Sequence, residues 1–197
     1  MTPAIGVLAL QGDFAAHLEA LRRAGARGRE IREAAELDRL DGLILPGGES
    51  TAHLKLMDAG GFTAAIRSMA SRGGALFGTC AGAILLARTV TGPDQDGLGL
   101  IDISIRRNAY GRQTESFEAS CAAPALGREP LELVFIRAPK ITATGPGVEV
   151  LAALDGEPVL VRQGKVLAGT FHPELSADPR IHRLFLEMAG FPVLTAS

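Results

Sequence analysis

The 197-residue chain has no tryptophan, one tyrosine and two cysteines, Cys80 and Cys121. Two cysteines exclude a disulfide scaffold and a four-cysteine zinc site. A reduced, cytoplasmic protein is the default for such a chain. No apolar run approaches the roughly 20 residues that span a bilayer, so no membrane association is expected. The opening Met1-Thr2-Pro3-Ala4 lacks the cationic start and cleavage pattern of a secretory signal. Neither charge dominates: 20 Lys and Arg against 22 Asp and Glu leave a formal net charge of −2. Without a basic stripe, no nucleic-acid partner is expected. G-x-x-x-x-G-K-S/T is missing, as is G-x-G-x-x-G after the first apolar run, so nucleotide binding has no motif behind it. Repeats, low-complexity tracts and linkers are missing too, and residues 1–197 read as a single domain. What is plentiful is glycine, 24 residues, which predicts many tight turns. At 47% hydrophobic residues, a chain of this length buries roughly 70% of its extended surface. It needs no metal or disulfide to fold, and no cofactor is expected.

The first half alternates strand and helix signals. Residues 5–10, 42–45 and 75–78 are short continuous apolar runs, the mark of strands buried on both faces. Residues 28–31 form a weaker strand. Asp13 is placed to cap a helix with the stripe Phe14, Leu18 and Leu21, ending near Gly25. Ser50 caps a second helix running to about Asp58. Phe62, Ala65, Ile66 and Met69 stripe a third, and residues 81–88 read as a fourth. Strands joined by helical crossovers imply a parallel sheet covered on both sides. The second half reads as shorter strands at 100–105, 133–136, 148–154, 158–162 and 166–171. Asp155-Gly156 and Gln163-Gly164 suit hairpin turns, so an antiparallel portion is added to the parallel core. Asp178-Pro179 opens a last helix with proline at its first position. Its stripe is Ile181, Leu184, Phe185 and Met188, and it stops at Gly190.

Gly78-Thr79-Cys80-Ala81-Gly82 follows an apolar strand and opens a helix. That is the nucleophile elbow, with cysteine in place of serine. Its glycines permit a sharp turn, the helix N-terminus favours a thiolate, and the Ala81 N–H can face an oxyanion. A cysteine nucleophile needs a base, and the base an orienting acceptor. Phe171-His172-Pro173-Glu174 offers both: two apart on an extended chain, His172 and Glu174 point the same way. His17, His53 and His182 fall in helical patterns, where surface or interface roles are expected. Pro46-Gly47-Gly48-Glu49-Ser50 leaves backbone N–H groups free beside a strand end. The arginines of residues 106–113 and Arg137 are able to grip a carboxylate in bidentate fashion. Taken alone, each of these arginines also reads as solvated surface. Tyr110 lies within the first cluster, with no role the sequence assigns.

Taken together, these segments resemble the class I, triad-type glutamine amidotransferases. Within them they are similar to the glutaminase subunits of pyridoxal 5′-phosphate synthases. The likeness covers nearly the whole chain and is carried by residues 6–12, 45–51, 77–82, 107–113 with 116–118, 135–139 and 171–175. It implies a flavodoxin-like, three-layer α/β/α domain whose mostly parallel sheet carries an antiparallel portion. It implies hydrolysis of L-glutamine to L-glutamate and ammonia. By motif, Cys80 is the nucleophile that forms a γ-glutamyl thioester, His172 the base and acid, and Glu174 its orienter. The N–H groups of Gly48 and Ala81 form the oxyanion hole. Glutamine-binding positions fall on Gly47, Gly48, Glu49, Arg107, Ile136 and Arg137. Arg107 or Arg137 suits the substrate carboxylate and Glu49 its ammonium. Gln11 falls near the active site and the partner interface. The implied partner is a (β/α)8-barrel synthase subunit in a hetero-oligomeric complex. It makes pyridoxal 5′-phosphate from ribose 5-phosphate, glyceraldehyde 3-phosphate and channelled ammonia. Docking is expected to activate the glutaminase, with a peptide flip near Gly47-Gly48 completing the oxyanion hole.

A glutaminase serving another synthase, such as imidazole glycerol phosphate synthase, shares the triad but differs around residues 107–113. A flavodoxin-like cysteine hydrolase would not need the His-Pro-Glu. A non-enzymatic scaffold would not need to keep Cys80, His172 and Glu174 together.

Overall fold

Side-chain alternation along the central strands sets the layers of the fold. The computed structural model describes residues 2–109 and 116–192. In β3 (Gly42–Leu45), Leu43 and Leu45 join one apolar cluster and Ile44 the other. In β1 (Ile5–Leu8), Ile5 and Val7 face one cluster and Leu8 the opposite one. Successive side chains on a strand point to opposite faces, so a continuous apolar run demands cover on both. Each such Leu or Ile contributes about 1.5–3 kcal/mol by leaving water.

The cover comes from the crossovers. On one face lie α2 (Ser50–Ala59), α3 (Phe62–Ser71) and α4 (Ala81–Leu86), whose Met57, Phe62, Ile66, Met69 and Leu85 fill the first cluster. On the other lie α1 (Phe14–Arg23) and α5 (Arg180–Met188), which bury Leu21, Ile181 and Phe185 in the second. The remaining strands of the main sheet are β2 (Gly28–Ile31), β4 (Ala75–Thr79), β10 (Glu149–Leu154), β11 (Glu157–Gln163) and β12 (Val166–Gly169). The sheet has seven strands in the order β10-β11-β12-β4-β3-β1-β2. Strands β2, β1, β3, β4 and β12 run parallel, and β11 and β10 are added antiparallel. The parallel part has the flavodoxin-like order 2-1-3-4-5, whose switch point lies between β1 and β3. Ligands bind such sheets at the carboxyl ends of the strands near that point.

Outside the main sheet, β5 (Ala87–Thr91), β6 (Ile101–Arg106) and β9 (Lys140–Thr144) form a small three-stranded sheet. Strands β7 (Ser116–Cys121) and β8 (Leu131–Ile136) pair antiparallel over the second cluster. Strand β2 falls at the bounds expected from the sequence, and both expected hairpin turns join β10, β11 and β12. Strands β5, β7 and β9 were not expected. The helix expected over residues 81–88 ends at Leu86, and the chain passes straight into β5, because Thr89-Val90-Thr91 prefers extended backbone. The cap of α2 is Glu49 rather than Ser50: its carboxylate accepts from the Thr51 and Ala52 N–H groups at 3.0 and 2.7 Å. α5 begins at Arg180, with Pro179 as its cap residue, while Asp178 still accepts the Arg180 N–H at 3.0 Å.

Candidate active site

The strand β4 delivers Cys80 to the carboxyl edge of the sheet, and α4 leaves from it at once. Cys80 is held at φ 48° and ψ −106°, a region that L-residues visit only under constraint. The constraint is the contact between its flanking glycines. A Cβ on Gly78 would lie 2.5 Å from the backbone carbon and oxygen of Gly82. One on Gly82 would run into the Leu45 carbonyl. Only glycine fits at either place, so the turn is sharp and Cys80, 6% exposed, stands at its apex. The Cys80 N–H donates to the Gly169 carbonyl at 2.8 Å, and the thiol to the Ile136 carbonyl at 3.8 Å.

β12 runs beside β4, which brings His172 to the same edge. Extended geometry from His172 to Glu174 does not hold. Pro173 starts a 3-10 turn over Pro173–Leu175, and this turn folds the carboxylate back onto the ring. Glu174 Oε1 lies 2.8 Å from His172 Nδ1. The carboxylate is 0% exposed and the ring 11%. Nε2, the ring's other nitrogen, is buried with no hydrogen-bond partner among the described residues. Burial opposes charge on this imidazole. The Cys80 thiol and the Glu174 carboxylate outweigh it, and His172 is pushed up to about 10. Burial likewise disfavours charge on Glu174, but His17 and His172 hold its carboxyl below the usual range.

A cleft of about 280 Å³ opens over the thiol. Its lining takes in Gly47, Gly48, Glu49, Cys80, Ala81, Arg107, Ile136, Arg137 and His172. Glu174 lies behind it. The glycine pair comes from the end of β3. A Cβ on Gly47 would sit 2.5 Å from His172 Cε1, and Gly48 is held at φ 146°. Gln11, from the end of β1, packs against this loop and donates from Nε2 to the Glu49 carbonyl at 2.6 Å. Arg107 contacts Glu49 Oε1 at 3.2 Å and Thr51 Oγ1 at 3.0 Å. Glu49 thus already serves a helix cap and an arginine. Burial disfavours its charge, but the Thr51 N–H outweighs it, with Ala52 and Arg107 adding, and holds its carboxyl below the usual range. Arg137 is exposed and has no ion pair among the described residues. Tyr110, Gly111, Arg112 and Gln113 lie outside the described residues.

The expectation for the other histidines is overturned. His17, His53 and His182 are all 0% exposed. His53 Nε2 lies 3.1 Å from the Gln11 carbonyl, and His17 and His182 meet each other behind Glu174. A signal was present: Phe14, His17, Leu18 and Leu21 follow the i, i+3, i+4, i+7 spacing of one helix face.

Fold and elbow together define the class: a class I glutamine amidotransferase domain of flavodoxin-like architecture. A crystal structure described as a glutamine amidotransferase superposes with a TM-score of 0.90 at 53% identity, covering 95% of this chain and all of that one. PurLQS from Thermotoga maritima shares the fold at 17% identity, with a TM-score of 0.71 and coverage of 95% and 99%. Residues 7–190 match the SNO glutamine amidotransferase family, and the chain belongs to it. The chain is 55% identical over 192 residues to the pyridoxal 5′-phosphate synthase subunit PdxT of a Thermus thermophilus strain, across 96% of this chain and all of the relative. It is 55% identical over 186 residues to the PdxT of Koribacter versatilis, across 93% of this chain and 94% of the relative.

Proposed function

We infer that this chain is the glutaminase subunit of a pyridoxal 5′-phosphate synthase. It hydrolyses L-glutamine and passes the ammonia to a (β/α)8-barrel synthase subunit. The observation that carries the chemistry is the Cys80 thiol and the His172 ring in one cleft, with the ring bonded to the buried Glu174, and the other residues the motifs single out lining the same cleft. The relatives named as synthase subunits, matched over nearly their full length, supply the partner.

The geometry supports the following course of reaction. Glutamine enters with its side-chain amide over the elbow and its α-carboxylate toward Arg137, the cleft's arginine with no ion pair among the described residues. His172 already holds the proton that the thiol gives up, and the Cys80 sulfur attacks the amide carbon. The oxyanion formed is met by the N–H groups of Ala81, fixed at the start of α4, and of Gly48, brought round by a turn of its peptide, dipoles aimed where charge develops. Imidazolium at His172 then protonates the amide nitrogen, the C–N bond breaks and ammonia leaves. A γ-glutamyl thioester remains. Water attacks it with His172 as base, and the C–S bond breaks to release glutamate and the thiol. Glu174 keeps the ring oriented and balances its charge throughout. The cytoplasm is the setting we assign, on the two free cysteines.

The test is glutamate release from L-glutamine with and without the synthase subunit. Strong stimulation by that subunit is expected, and Cys80→Ala should abolish it. Full activity indifferent to the subunit would point to a different acceptor synthase. Activity surviving in Cys80→Ala would remove the nucleophile from this account.

A further inference from the structure

Behind Glu174 lies a second line of titratable groups that the proposed chemistry leaves unused. His17 on α1, His182 on α5 and Thr79 at the end of β4 are all fully buried. His17 Nδ1 lies 3.1 Å from His182 Nε2. His17 Nε2 lies 3.1 Å from Thr79 Oγ1 and 3.4 Å from Glu174 Oε2. The Phe77 ring stands at 84° to one imidazole and 78° to the other and shields both from water. The other charged or titratable groups acting here are His172 and Asp13 on His17, and Arg23 on His182.

Counting protons assigns the donors. Burial outweighs Glu174 and keeps both rings neutral: it lowers His17 and takes His182 down to about 3. A neutral imidazole carries one N–H. Were it on His17 Nδ1, a lone pair on Nε2 would confront the carboxylate. Glu174 Oε2, which makes no hydrogen bond among the described residues and lies 3.4 Å from that nitrogen, would then be buried with no N–H facing it. His182 would also have to bury an unpartnered Nδ1–H. With the proton on Nε2, His17 donates to Thr79 Oγ1, turns the same polar N–H toward Glu174 Oε2 3.4 Å away, and accepts from His182 Nε2–H. Only a lone pair on His182 Nδ1 then goes unmet, and a bare acceptor is better tolerated than a bare donor.

We propose that His17 is a positioning residue: its Nε2–H, in a tautomer set by His182 and anchored on Thr79 Oγ1, faces Glu174 Oε2 at 3.4 Å and steadies the carboxylate so that Oε1 stays aligned on His172. The role rests on the glutaminase reading of Cys80, His172 and Glu174. It touches no substrate atom, so it acts on turnover and not on binding.

The experiment is steady-state glutamine hydrolysis by the chain in complex with its synthase subunit, over a range of pH, for His17→Leu and His17→Gln. Leu removes the donor. kcat should fall about 10–100-fold, the range typical of outer-shell partners that orient a histidine, with KM unchanged. The acid limb of kcat/KM should move to higher pH, because Glu174 without its donor takes up a proton sooner. Gln places an amide N–H where Nε2 was and should recover most of the rate. A Leu variant with the wild-type kcat and pH profile overturns the proposal. Should His17→Leu fail to fold, nitrogen-15 NMR of the wild-type imidazoles decides: a neutral His17 protonated on Nε2 is expected, and a proton on Nδ1, or on both nitrogens at pH 7, overturns it. A wild-type complex that releases no glutamate would defeat the glutaminase reading itself, and the positioning role with it.

Discussion

The turn after β4 and the turn after β3 sit side by side at one edge of the sheet, both rich in glycine, yet they are held very differently. In the first, Gly78 and Gly82 are pressed against each other and against Leu45, and Cys80 has no freedom to leave its strained backbone. In the second, Gly47 is tight against His172, but Gly48 is exposed, and a Cβ there would meet nothing nearer than Gln11 Cδ at 3.5 Å. The thiol of the proposed nucleophile is preset by packing, while the proposed oxyanion donor, Gly48, is carried on a peptide with room to turn. If docking activates the site, as proposed, its adjustable part is the oxyanion loop and its rigid part the sulfur.

The sharpest way to break this contrast is Gly82→Ala. Its methyl has nowhere to go except into the Leu45 carbonyl, so a loss of about 3 kcal/mol is expected, seen as a drop of about 6–12 °C in Tm. A melting curve like wild type would show the elbow to be looser than its packing says. Gly48→Val should do the reverse. Partner-stimulated glutamate release should fall about 100-fold, as when one oxyanion donor is lost, for about 1 kcal/mol of stability. Unchanged stimulated activity would count against a flip of that peptide.

The third prediction concerns the charge that joins the two turns. His172 stands raised from 6.5 to about 10. A raised histidine contributes its full stability below its ordinary value and loses it as pH rises through the folded one. Thermal stability should therefore hold that contribution at pH 6 and shed it on approaching pH 10. In Cys80→Ala one of the two groups holding the proton is gone. The His172 midpoint by proton NMR should fall, and the decline in Tm should begin at lower pH. An unmoved midpoint would assign the proton to Glu174 alone. The smallest effect is expected from Glu49→Ala, which strips the cap of α2 and costs about 1 kcal/mol, or about 2–4 °C in Tm.

Strands buried on both faces were legible because nothing but apolar residues survives there: β1, β3 and β4 announce themselves. The elbow was legible for a related reason, since two glycines bracketing a cysteine between strand and helix have few other uses. Strand β7 was not. Its Ser116–Cys121 pattern is half-exposed throughout and has no β-branched residue, so its pairing with β8 decides its shape. β5 was hidden because the apolar stretch feeding it reads as a continuing helix. The buried histidines were missed although His17 shares a face with Phe14, Leu18 and Leu21. A histidine is tolerated in a core only through polar partners, and His182 and Glu174 are more than 150 residues away in the chain. Spacing alone shows no such partner.

The pairing of β4 with β12 has a consequence for the order of events in synthesis. Cys80 and His172 are 172 − 80 = 92 residues apart, and they meet only because β12 completes the sheet beside β4. Until that last parallel strand is made, β4 is an edge strand, and its thiol has neither the imidazole that would take its proton nor the Gly169 carbonyl that holds its backbone. A ribosome-bound fragment ending before residue 166 carries the nucleophile but cannot use it. On the proposed chemistry, hydrolysis of glutamine waits for the sheet to close, late enough that no partly made chain would consume substrate and release ammonia with nowhere to send it.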